Sequence, residues 1–206
     1  MNNTHNTWKM GRTDRGVKDV RIALVLACIL WVCTTYTGYG YDVAKTGGGA
    51  EIKWAVPRMT YRVNSSGAPA GFIAAAKNGG ATWSGAGTRF RFIYAGDTSS
   101  HDYGANDGQN NIDFGWLEGG SNLGQANKWF NSSSGQIVDV DIRINSSKTW
   151  TSGGYDLQSV ITHEMGHGLS LEDLYNTADK AKTMYGVLSR NDTSQRTLDQ
   201  DDIDGI

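Results

Sequence analysis

The stretch HEMGHGLSLED at residues 163–173 constrains this chain more tightly than any other part of its sequence. His163 and His167 stand four residues apart, so on a helix both imidazoles leave one face and can grip a single metal ion, with Glu164 held beside it. That is the layout of a zinc hydrolase. The plain alternative is a helix with two polar residues near a core, and the rest of the chain has to decide between them.

With 206 residues the chain can build one domain with a proper core, and little is left for a second once an N-terminal segment is set aside. Residues 22–33, IALVLACILWVC, form an apolar run preceded by Lys9, Arg12, Arg15, Lys18 and Arg21 and followed by small and polar residues. This is the make-up of an export signal, and it is short for a membrane span. Cleavage near Thr37 to Gly40 divides the chain into an N-terminal signal at 1–40 and a catalytic-size domain at 41–206. The expected location is extracellular, the alternative being a domain anchored by an uncleaved signal. Both cysteines, Cys28 and Cys33, lie in the apolar run. The exported domain therefore has no disulfide and no thiolate, and a zinc site must be built from histidine and carboxylate. Formal charge is −2 and no basic block follows the first twenty residues, so there is no electrostatic case for nucleic acid. The sequons at Asn64, Asn131, Asn145 and Asn191 read as products of an Asn-, Ser- and Thr-rich composition.

Along the domain, Trp54 to Val63 alternates as a first strand, with Pro57 at its beginning or on an edge. Residues 68–83 carry Phe72, Ile73, Ala76 and Trp83 at helical spacing, although Gly79-Gly80 weakens that helix. Strands follow at Arg89 to Tyr94, Asn111 to Trp116 and Leu123 to Phe130. The clearest strand is Ile137 to Asn145, with Val138, Val140, Ile142 and Ile144 on one face and Asp139, Asp141, Arg143 and Asn145 on the other. Alternation alone accounts for the two aspartates as a solvated strand face, in preference to a calcium site. Asp156 is placed to cap a helix running into the histidines. A last helix starts at Thr197, where Thr197 and Gln200 have capping-box spacing and the DQDD run suits the positive helix end.

Catalytic zinc takes three protein ligands and a water, so two histidines leave one position to find. A glutamate from a later helix is excluded because Glu172 is the last glutamate in the chain. Asp173, Asp179, Asp192 and the C-terminal acidic cluster remain. Here a resemblance narrows the choice. His163, Glu164, His167 and Asp173 fall on the positions of the HExxHxxGxxH/D signature of the metzincin metallopeptidases, and Thr183-Met184-Tyr185-Gly186 is similar to their methionine turn. Within that clan the chain resembles the matrixins, especially small prokaryotic-type catalytic domains. The closing RTLDQDDIDGI is similar to their final helix, NDGQNNIDFG to their third strand, and Leu123-Gly124-x-Ala126 to their edge strand. The resemblance covers roughly residues 50–206.

It implies an α+β metzincin fold: a twisted, mostly parallel five-stranded sheet with an antiparallel edge strand, an active-site helix and a C-terminal helix. It assigns Asp173 as third ligand, with Glu172 as fallback, and Met184 as a hydrophobic floor beneath the metal. Serine stands at position 170 where the family has a glycine for the reversal after the second histidine, so either Ser170 takes up an unusual backbone or the turn differs slightly. His101 lies near a structural zinc site of the family whose other ligands are missing here, and it reads as a surface loop residue.

The implied activity is zinc-dependent hydrolysis of peptide bonds in extracellular proteins, with Glu164 as general base taking a proton from the attacking water and delivering it to the leaving amine. A peptide is expected to add in extended form to the edge strand, against Leu123, Gly124 and Ala126. Ser159, four before the first histidine, predicts a roomy specificity pocket with Tyr185 to Ser189 as its outer wall. The cofactor is zinc, with structural calcium left open; a monomer acting on protein or peptide is expected. A silent binding module on the same metal scaffold is the rival reading, and retention of Glu164 argues against it, because a scaffold needs the ligands and not the base.

Overall fold

The computed structural model describes residues 2–5, 40–100 and 102–206. The apolar run at 22–33 and His101 lie outside the described residues, and among the described residues no helix is long and apolar enough to cross a membrane. Seven strands and three helices follow in chain order: β1 (Asn2–His5), β2 (Lys53–Trp54), β3 (Arg58–Asn64), α1 (Phe72–Ser84), β4 (Arg91–Asp97), β5 (Asn110–Gly115), β6 (Gly124–Phe130), β7 (Gln136–Asn145), α2 (Leu157–Gly168) and α3 (Gln200–Asp204).

The body of the sheet has the order β4-β3-β5-β7-β6. β4, β3, β5 and β7 are parallel to one another, and β6 closes the edge antiparallel to β7, with Gly124 opposite Ile144 and Lys128 opposite Val140. This is the expected α+β architecture. The short β2 pairs with the start of β7, and β1 adds to the outer edge of β6, antiparallel, with Asn2 opposite Phe130 and His5 opposite Asn127.

The core forms where the sheet faces α1 and α2: Met59, Tyr61, Val63, Ile112, Val140, Ile142 and Ile144 meet Phe72, Ala76, Trp83, Ile161 and Met165. The glycine pair in α1 supports this contact instead of ending the helix. A Cβ on Gly79 would stand 3.2 Å from Thr162 Oγ1, and one on Gly80 would stand 2.9 Å from the Tyr61 hydroxyl. Lacking them, α1 lies close enough to α2 for the Trp83 indole N–H to donate to the Thr162 carbonyl at 2.7 Å.

Several sequence expectations need correction. The strand expected over Trp54 to Val63 is two strands separated at Pro57, whose missing N–H interrupts pairing. In β7 a register shift between Trp129 and Phe130 on the partner strand places Ile137 opposite Phe130 and Asp139 opposite Trp129, so Ile137, not Val138, joins Val140 in the core. Asp139 and Asp141 are not a solvated face. They are 0% and 1% exposed, because residues 102–111 fold over that side of the sheet and supply backbone donors. Asp139 accepts from the N–H groups of Asp107 and Gly108, and Asp141 from those of Gly104 and Asn111.

The capping box of α3 is built by Asp199 and Asp202, not by Thr197 and Gln200. Finally, Asn64 and Asn145 are buried in strands, which removes both as glycan acceptors.

Candidate metal centre

α2 delivers the two histidines as its sequence requires. Asp156 caps the helix by accepting the Ser159 N–H at 2.8 Å, and the helix runs to Gly168. His163 and His167 are 1% and 2% exposed. After Gly168 the chain reverses. Ser170 adopts φ 73, the left-handed conformation that glycine takes freely and that costs other residues about 1–2 kcal/mol. The reversal carries Asp173 back over the helix.

The three expected ligands converge. Asp173 Oδ1 lies 3.0 Å from His163 Nε2 and 3.4 Å from His167 Nε2, and the two Nε2 atoms are 3.1 Å apart. Bonds of ~2.0–2.1 Å to a tetrahedral zinc place donor atoms about 3.3 Å from one another, so this triangle has the size of one face of such a site. Both rings are held with Nε2 inward: His163 Nδ1–H donates to the Thr183 carbonyl at 2.7 Å and His167 Nδ1–H to the Leu171 carbonyl at 2.8 Å. Carbonyl partners of this kind fix the tautomer a metal requires. The Tyr175 hydroxyl donates to the other oxygen of Asp173 at 3.1 Å. Two histidines and a carboxylate are a donor set suited to zinc. Among the described residues, His163, His167 and Asp173 are the group of histidine and acidic side chains able to hold a metal.

The electrostatics follow from burial and proximity. Burial works against a charge on His167, but the hydrogen bond and negative charge of Asp173 outweigh it and raise its pKa to about 9. Burial likewise opposes ionisation of Asp173, yet hydrogen bonds from the two histidines hold it far below the usual carboxylate range. Glu164 is raised, by burial first and by Asp173, against the pull of the histidines.

Glu164 sits beside the triad, 1% exposed, and its carboxylate faces the Ala126 N–H of β6. It lies against the edge strand. A Cβ on Gly124 would be 2.6 Å from Glu164 Oε1, so the absence of a side chain at 124 makes room for the carboxylate. Leu123 and Ala126 are buried alongside.

The methionine turn closes the far side. Met184 is 1% exposed, and a Cβ on Gly166 would stand 2.3 Å from its sulfur, so the glycine of HEMGH lets the floor approach the helix. The turn is held by Asp202 of α3, whose carboxylate accepts the N–H groups of Thr183 at 2.9 Å and Met184 at 3.2 Å. Tyr185 continues from the turn and bridges to Leu174. Ser159 is fully buried. A cleft of about 550 Å³ opens nearby between Trp150, Tyr155, Leu157, Gln158, Asn191 and Thr193; neither Ser159 nor Tyr185 lines it. Glu172, the fallback ligand, is not in the triad.

Four contributors were not anticipated: the Thr183 carbonyl, the Leu171 carbonyl, Tyr175 and Lys128. The last is 3% exposed on β6, and its ammonium donates to the His167 carbonyl at 3.2 Å, with burial pushing its pKa down to about 8. Its parity with Ala126 and Phe130 along the strand was the signal that a lysine there shares their face.

With this geometry in hand, comparison with known proteins is direct. The sequence model of the family Matrixin matches residues 86–206. Human neutrophil collagenase is 39% identical over 74 residues, which amount to 35% of this chain and 15% of that protein. The matched segment thus covers a small part of that relative's length.

Proposed function

This chain belongs to the matrixin family, and on that premise we propose that it is a zinc-dependent endopeptidase that cleaves extracellular proteins or peptides. The observation that carries the proposal is the convergence of His163, His167 and Asp173 into one triangle beside the buried Glu164 carboxylate. Zinc held there would supply Lewis acidity toward the scissile carbonyl and a water of lowered pKa. His163 and His167 would bind it through Nε2, and Asp173 through Oδ1. Glu164 would accept the proton of the attacking water at a carboxylate oxygen and hold it until the leaving amine takes it.

An extended substrate would lie against Leu123, Gly124 and Ala126 on β6. The pairing of β1 with the same strand supports its capacity to take up an extended chain antiparallel. Residues 1–40 act as an export signal in this reading, or as an anchor if left uncleaved. Cleavage near Thr37 to Gly40 would remove β1 and free the edge at 127–130. Ser159 and Tyr185 to Ser189 would shape a pocket for a bulky apolar side chain.

Metal analysis of the purified protein, coupled to a protein-cleavage assay with and without chelator, tests the proposal. One zinc per chain, and cleavage abolished by chelator and restored by zinc, is the expected result. Zinc at full occupancy with no cleavage of any protein or peptide would instead identify a silent metal-scaffolded module.

A further inference from the structure

The reversal after α2 places the third ligand, and it is made without the glycine that eases such turns. Ser170 holds φ 73 with its hydroxyl buried and unpartnered. Within the turn, the Ser170 N–H bonds the His167 carbonyl at 2.9 Å and the Leu171 N–H bonds that of Gly166 at 3.1 Å. Local hydrogen bonds of this kind are common at helix ends. What differs here is the number of donors arriving from elsewhere in the chain. The Trp54 indole N–H reaches the Gly168 carbonyl at 2.9 Å, and the Ala44 N–H reaches that of Ser170 at 2.8 Å. The Glu172 N–H donates to the Asp42 carbonyl at 2.8 Å. At the centre, the Lys128 ammonium takes the same His167 carbonyl that receives the Ser170 N–H.

A lysine stem crossing from the sheet to the end of α2, with its head buried, is a costly placement unless the charge meets acceptors. The exposed carbonyls and negative dipole end of α2 are such acceptors. Glu172 adds an attractive charge. The geometry points to Lys128 as a positioning residue for the metal site: by pinning the His167 carbonyl it holds the Ser170 reversal closed and so keeps Asp173 over the two Nε2 atoms. Lys128 touches neither metal nor substrate and acts through the turn. This inference rests on the zinc-site reading above.

The test measures zinc dissociation constants by chelator competition, so that it does not depend on turnover. Wild type comes first: failure to bind one zinc would overturn the zinc-site reading itself, and binding leaves the Lys128 inference to be judged alone. Lys128→Met keeps the length and apolar stem of the side chain and removes the donor. It should weaken zinc binding about tenfold or more, the range seen when a supporting partner of a metal ligand is lost. Adding Ser170→Gly should bring the constant back to within about threefold of wild type, because glycine needs no outside help to adopt the left-handed turn. In an Asp173→Ala background, Lys128→Met should change zinc affinity less than about twofold, since the ligand it positions is gone. A merely structural lysine would weaken binding regardless of residues 170 and 173. A Lys128→Met constant within about twofold of wild type, or no recovery with Ser170→Gly, overturns the inference. If Lys128→Met does not fold, the double variant with Ser170→Gly decides: near-wild-type affinity sustains the assignment and a weak one refutes it.

Discussion

Single atoms set the terms of this site. Glu164 fits beside the edge strand because residue 124 has no side chain, and the space is smaller than a methyl group. Gly124→Ala should therefore displace either the carboxylate or the strand. Kinetics on a peptide substrate should give a kcat lower by about 10- to 100-fold with zinc content unchanged, the scale of an ångström-size misplacement of a catalytic group. An unchanged kcat would mean that Glu164 does not work from this position. At the same scale the sequence was legible where chemistry demands a fixed spacing. His163, His167 and Asp173 come together as their motif implies, and of the two outcomes the missing glycine left open, Ser170 takes the left-handed backbone. Asp139 and Asp141 were misread because alternation reports which residues share a face, not what covers it. Here residues 102–111 cover it.

At the level of elements, the site is one helix held between two loops, and α3 does more than close the chain. Asp202 completes its own helix cap and at the same time receives two N–H groups of the methionine turn, whose Thr183 carbonyl holds His163. Asp202→Ala leaves those buried donors without an acceptor. The expected cost is about 2–4 kcal/mol, by the usual penalty for losing hydrogen bonds to a buried carboxylate. For a domain of this size that lowers Tm by several degrees, roughly 5–15 °C, readable by calorimetry. A shift below about 2 °C would show that the turn stands without α3. The DQDD run was legible as helix-end chemistry, but its reach to the methionine turn was not, since that contact joins residues 18 and 19 apart with no periodic signature. Gly79-Gly80 in α1 is the opposite case: propensity counted against a helix that tertiary packing requires.

Across the whole molecule, a buried aspartate pair makes stability fall as pH rises from about 4 to about 8. Burial raises Asp141 to about 8, helped by the charge of Asp139, and raises Asp139 to about 6, both from an ordinary value of 3.8. Between about pH 4 and pH 8 the folded chain therefore binds more protons than the unfolded one at these positions. Their contribution is fully present below the unfolded pKa and is lost as pH rises through the folded values. With metal removed, His167, raised to about 9 from 6.5, adds a loss of the same sign above neutrality. The urea midpoint of the chelated protein should fall steadily from pH 5 to pH 8; a flat or rising midpoint would contradict the buried aspartate pair. The central claim, that this fold assembles a hydrolytic zinc site with Glu164 as its base, is tested most directly by Glu164→Ala. The variant should retain one zinc per chain and lose peptide cleavage by about 10²- to 10⁴-fold, the range that general base catalysis supplies. Cleavage that survives the substitution with zinc still bound would contradict the account.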